Sequence, residues 1–219
     1  MSKAKSRIAV ALLLLCLTAP GLRASELLIN GSFELPVIPT IDQEFAAPST
    51  DIVGWAVTER TVNINRTSAI FGTAHDGDQM LDINGSNNGT IEQSFATSIG
   101  GEYLLTLYYA NNPNPSMASP SYDADVTLFG TGTLYTEFIT HSGSTAADME
   151  WTFLSHQFAA DSTTTTLQLR SRMLGFNGVV FDSVSIVEVP EPGALTLILP
   201  GLVAAYMWRR ARRLPRTTG

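Results

Sequence analysis

The sequence predicts an all-β protein, a sandwich or barrel, carried between two helical segments that belong to export rather than to the fold. Three observations predict it. Between residues 25 and 188, short alternating or apolar runs succeed one another, separated by turn residues. No long amphipathic helix is visible in that stretch. Gly, Asn, Ser and Thr, the residues of turns and pleated surfaces, are abundant there.

The elements follow in order. Lys3, Lys5 and Arg7 precede an apolar run from Ile8 to Leu17, then Pro20-Gly21 and an exit at Ala24. This pattern predicts a secretory signal peptide over 1–24. The only cysteine, Cys16, lies inside it, so the remaining chain has no thiol, disulfide or thiolate metal site. The domain then runs over 25–188. Its clearest strand candidates are "YLLTLYYA" (103–110), "DADVTLFG" (123–130), "LYTEFI" (134–139), "TFLSHQF" (152–158), "TTLQLRS" (165–171) and "VVFDSVSIV" (179–187). Gly100-Gly101, Asn111-Asn112-Pro113 and Asn177-Gly178 punctuate them. The stretch "NPNPSMASPS" (112–121) reads as a long exposed loop.

Residues 189–219 form the third segment. The apolar run Ala194–Trp208 would span about 22 Å as a helix, close to a membrane's hydrocarbon thickness once Trp208 and the arginines extend it. Arg209, Arg210, Arg212, Arg213 and Arg216 make a basic tail over 209–216, which would stay cytoplasmic. The bland alternative is a buried C-terminal helix with a solvated tail.

Charge separates cargo from label. All 20 acidic residues follow residue 24, against only Arg60, Arg66, Arg170 and Arg172 before Pro192, with no lysine. Such a body repels nucleic acid and anionic membranes and favours divalent cations.

Catalytic signals are lacking. No Gly-x-Ser-x-Gly or His-Glu-x-x-His motif occurs, and His75, His141 and His156 have no zinc spacing. A complete sandwich leaves little chain for a cleft, so a non-enzyme is expected. Trp55, Tyr108 and Tyr122 are the candidate sugar-stacking residues, although a Trp at position 55 also suits a core.

Two resemblances add to this reading. Pro190-Glu191-Pro192, the apolar run and the arginine cluster, in that order, resemble the PEP-CTERM sorting signal of Gram-negative bacteria. The resemblance implies processing by an exosortase, release or attachment at the surface, and a setting of exopolysaccharide and biofilm matrix. "LLINGSFELP" (27–36), "GW" (54–55), "AHDGDQMLDINGSNNGTIEQSF" (74–95), "GGEYLLTLYYA" (100–110) and "VVFDSVSI" (179–186) together resemble galactose-binding-like jelly rolls, with DUF642 and related carbohydrate-binding modules as the nearest families. That implies a jelly-roll sandwich that binds polysaccharide. It also implies a structural calcium ion held by Glu34 and Asp182, with Asp78 as a third candidate.

The residues speak to calcium as well. Asp182 shares strand parity with Val180, Val184 and Ile186, which would turn it inward and demand a partner. Calcium would serve; backbone amides, or exposure at a sheet edge, are the alternatives. Asp82, Asn84, Ser86 and Asn88 alternate like a calcium loop, but Asn87 and Gln93 occupy its glycine and glutamate positions, so this stretch reads as a polar turn. The functional expectation is an exported, non-catalytic surface or matrix protein that touches polysaccharide. The rivals are a structural or adhesive envelope protein without sugar affinity, and a polysaccharide hydrolase.

Overall fold

The computed structural model describes residues 25–117, 119, 121–189 and 209. The signal segment 1–24, the Pro190-Glu191-Pro192 motif, the apolar run 194–208 and the tail beyond Arg209 lie outside the described residues. Among the described residues, no helix is long and apolar enough to cross a membrane.

Eleven strands form the domain: β1 (Asp42–Ala46), β2 (Ala56–Glu59), β3 (Thr61–Arg66), β4 (Gln79–Asp82), β5 (Thr90–Ala96), β6 (Glu102–Asn111), β7 (Tyr122–Phe129), β8 (Thr133–His141), β9 (Thr152–Ala159), β10 (Thr164–Ser171) and β11 (Val179–Glu188). One sheet runs β1-β3-β4-β11-β6-β9 and the other β2-β5-β10-β7-β8. Every recorded pairing is antiparallel. From β4 onward the chain mostly alternates between the sheets, as a jelly-roll sandwich requires. The six strand candidates quoted above coincide with β6 to β11, within a residue or two at their ends. The expected loop over 112–121 contains one 3-10 turn, Pro115–Met117.

Alternation explains the packing. In β6, Tyr103, Leu105 and Leu107 point into the sandwich while Thr106 and Tyr108 point out. Leu167 and Leu169 of β10 and Ile91 and Phe95 of β5 meet them from the other sheet. Each such side chain contributes about 1.5–3 kcal/mol when fully buried. A second, smaller cluster covers the outer face of the six-stranded sheet: Met80, Ala110 and Val180 lie under Phe71, Ala74 and Met149.

The opening segment departs from expectation. "LLINGSFELP" forms no regular strand; Glu26 makes one isolated bridge to Val187, and Asn30 and Phe33 adopt positive φ. Asn30 instead stitches a loop, donating to the carbonyls of Leu35 and Val53 and accepting from the Leu35 amide. Gly31 is required because a Cβ there would stand 1.8 Å from the Val184 carbonyl oxygen. Phe33 plugs the core against Trp55.

The parity argument for Asp182 also fails, for a definite reason. A β-bulge shifts the β11–β6 register between Asp182 and Ser185, with Ser183 at φ 50°. Val179 and Phe181 face the main core before it, and Val184 and Ile186 face it after it. Counting by twos across an inserted residue reverses the face. Asp182 therefore points to the outer face with Val180, where it is nonetheless fully buried.

Candidate functional site

The outer face of the six-stranded sheet carries an aromatic strip. Register places Tyr108 of β6 between Asp182 of β11 and Phe153 of β9. The Tyr108 ring stacks on His75 at 3.6 Å and meets Phe153 at 5.0 Å. Trp151 stands edge-on to His75 at 5.9 Å, its indole N–H donating to the Thr73 carbonyl. Phe153 is 53% exposed and closes the strip at the sheet's edge.

Two carboxylates set the loop that bears His75. Asp182 Oδ2 accepts the amides of His75 (2.8 Å) and Asp76 (2.9 Å), and Oδ1 accepts the amide of Ser183. Glu34 Oε1 accepts the amides of Asp78 (2.9 Å) and Gln79 (2.7 Å). Gly77, at φ 72°, lets Glu34 approach, since a Cβ there would lie 2.4 Å from Oε1. Burial pushes the Asp182 carboxyl up to about 7, although the three amides pull against it.

Five amide hydrogens thus reach the two carboxylates expected to hold calcium. They balance the charge in the way named above as the amide alternative, and Asp78 contributes its amide rather than its carboxylate. Among the described residues, no three His, Cys, Asp or Glu side chains gather as a metal site. What this clasp does is hold His75 over Tyr108, helped by a 2.8 Å hydrogen bond between His75 Nδ1 and Ser183 Oγ.

Around the edge from Phe153, β8 and β9 leave the sandwich open. The gap is a groove of about 490 Å³ whose lining includes Tyr109, Tyr135, Glu137, Phe153 and Leu154. Tyr135 stacks on His156 at 3.6 Å and donates to Glu137 Oε2 at 3.3 Å. Partial burial and the Glu137 charge push the Tyr135 phenol up to about 12 and raise Tyr109 as well, so both remain donors at neutral pH. Glu137 lies across from Val126 in the β7–β8 ladder and shares its inward face. An inward charge on an edge strand also discourages edge-to-edge pairing. Aromatic faces, the Tyr109 phenol and the Tyr135–Glu137 pair suit a hydroxyl-rich ligand. Glycoside hydrolysis by the usual route needs two carboxylates, and this lining has one.

The sequence candidates separate accordingly. Tyr108 belongs to the strip. Trp55 is 2% exposed, tilted against Phe33 and donating to the Asn30 carbonyl, and Tyr122, also 2% exposed, accepts the Ser119 amide. Both are core residues and offer no face to a sugar. Sequence reasoning missed Phe153, Tyr135 and Glu137. A signal existed for Phe153: it is out of phase with Leu154 and Phe158, hence an aromatic on the solvent side of its strand.

Residues 26–187 match DUF642, described as a protein of unknown function, and the chain belongs to that family. Halomucin of Haloquadratum walsbyi is 33% identical over 149 residues, which are 67% of this chain and 2% of halomucin; the chain thus spans a small fraction of that relative's length. Among solved structures, a family 61 carbohydrate-binding module in complex with β-1,4-galactotriose aligns with a TM-score of 0.48 at 11% identity, covering 76% of this chain and all of that one. A xylan-binding family 22 module from Paenibacillus barcinonensis aligns at 0.43 and 18% identity, covering 68% and 94%. These likenesses are of chain path.

Proposed function

We propose that this chain is an exported, non-catalytic protein that binds neutral polysaccharide along the strip and groove joined by Phe153. The observation that carries the reading is the exposure of Phe153 between the Tyr108–His75 stack and the groove of Tyr109, Tyr135 and Glu137. Sugar rings present apolar C–H faces to aromatic rings, and their hydroxyls bond phenols and carboxylates. The 20 acidic residues that follow residue 24 disfavour anionic glycans.

The ends supply the address. The N-terminal segment 1–24 directs export, and Pro190-Glu191-Pro192, the apolar run 194–208 and the basic tail 209–216 deliver the protein to an exosortase from the inner membrane, leaving it at the surface of a Gram-negative bacterium or in its matrix. Calcium at Glu34, Asp78 and Asp182 is not needed to balance the charge of the clasp, which five amides already meet.

A panel of neutral polysaccharides tested by affinity electrophoresis examines the binding claim. The full chain is retarded by at least one of them, and Phe153→Ala or Tyr135→Ala weakens retardation about tenfold or more without lowering Tm appreciably, as expected for loss of one stacking partner. Retardation by none leaves a structural or adhesive protein. Depolymerisation of the polysaccharide would make it a hydrolase.

A further inference from the structure

The same sheet face holds a second polar site, away from the aromatic strip. Register aligns Glu44 of β1, Asn63 of β3 and Asp82 of β4 in one row, and paired residues share a face. Asp82 is buried; its Oδ1 accepts the Asn84 amide at 2.9 Å and its Oδ2 accepts Asn112 Nδ2 at 2.6 Å. Asn84 is fully buried and donates both hydrogens of its side chain to the carbonyls of Met173 (3.2 Å) and Gly175 (2.8 Å). Its Oδ1 is thereby fixed, and among the described residues no donor meets it.

That oxygen and Asp82 Oδ1 converge. A Cβ at Gly178 would lie 2.4 Å from Asn84 Oδ1 and 3.0 Å from Asp82 Oδ1. The side-chain oxygens of Asn63, Asn65 and Asn88 are likewise buried and, among the described residues, unpartnered. Asn63 lies opposite Asp82, Asn65 is two residues along the same face, and Asn88 bridges Asn84. Asn65 is fully buried; its side-chain amide faces the Asp82 carboxylate, and its Oδ1 meets no donor among the described residues.

Buried acceptors without donors are rare and costly. Here several oxygens and one carboxylate cluster, with neither imidazole nor sulfur among them. A hard cation satisfies all of them at once, and a mixed, adaptable set of oxygens suits calcium better than the strict octahedron of magnesium. We propose that Asp82 with Asn63, Asn65, Asn84 and Asn88 forms a divalent-cation site whose ion is calcium. The polar turn between β4 and β5 is then the loop that delivers Asn84 and Asn88 to it. This site is independent of sugar binding.

The test strips the full chain with EDTA and titrates it with calcium chloride, reading binding heat and Tm. One ion binds with a Kd of about 0.1–1 mM, the range of extracellular modules, and raises Tm. Asp82→Asn weakens binding about tenfold or more, whereas Asp182→Asn leaves it unchanged. Asn65→Leu removes one ligand, a buried oxygen without a donor, and it shrinks the calcium-dependent rise. If Asp82→Asn fails to fold, Asn65→Leu decides alone. The proposal is overturned if calcium leaves the Tm of the unmodified chain unchanged, or if the rise survives both substitutions. It is also overturned if Asp182→Asn abolishes the rise and Asp82→Asn does not, which would place the ion at the clasp.

Discussion

The two flanks of one sheet face make opposite bargains with water. On the β6–β9 flank the buried carboxylate, Asp182, has three amide donors, and what remains uncovered is aromatic. On the β3–β4 flank the buried carboxylate, Asp82, also has donors, from Asn84, Asn112 and Gly178, but the side-chain oxygens of Asn63, Asn65, Asn84 and Asn88 have none among the described residues. Burial pushes both carboxyls up to about 7, so the titration of the two would look alike. Similar desolvation therefore says little about role; the side-chain oxygens left without donors distinguish the proposed cation site from the structural clasp. The small cluster of Met80, Ala110 and Val180 under Phe71 and Met149 separates the flanks.

The largest effect should come from removing the clasp. Asp182→Ala strands the amides of His75, Asp76 and Ser183 and costs about 2–4 kcal/mol, read as a lower urea midpoint. Calcium should not rescue it. The same change frees His75 from its seat on Tyr108, so polysaccharide retardation should weaken too, which a purely structural carboxylate would not cause.

The pH dependence comes next. An unfolded Asp titrates near 3.9, below the folded value of both carboxyls, so the folded chain retains protons that the unfolded chain has lost. Their contribution to stability is full below about pH 4 and is lost as pH rises through about 7. In EDTA the urea midpoint should fall over that window. Calcium at the upper end should restore part of the loss through Asp82, and Asp182→Asn should flatten the remaining slope. A midpoint that rises over the same window in EDTA would break the comparison.

The smallest expected effect tests the other arm of the clasp. Gly77→Ala places a Cβ against Glu34 in a left-handed conformation and should cost about 1–2 kcal/mol in a urea melt, with or without calcium. A calcium-dependent cost would place an ion at Glu34.

Much of the fold was legible because strand periodicity is local: the six runs from 103 to 187 each carry their own alternation. The opening segment was not, because Asn30, Gly31 and Phe33 are chosen for what they meet on β11 and beneath Trp55, contacts far apart in sequence. Asp182 was misplaced because one bulge residue, Ser183, inverts the count. The strip was half visible, since Tyr108 stood out. The groove was hidden, because Tyr135 and Glu137 meet Phe153 and His156 only when the edges of two sheets are brought together. The Asp82–Asn84–Ser86–Asn88 alternation was seen as a turn, which it is; that its oxygens are buried without donors is a property of packing alone.

The most direct test of the functional account is NMR of the full chain, with assigned aromatic and side-chain amide resonances, titrated with the polysaccharide that retards it. The account expects the rings of Phe153, Tyr108 and Tyr135 to shift saturably while the side-chain amides of Asn63, Asn65 and Asn84 stay still. Saturable shifts confined to other surfaces, with those three rings unmoved, would contradict it.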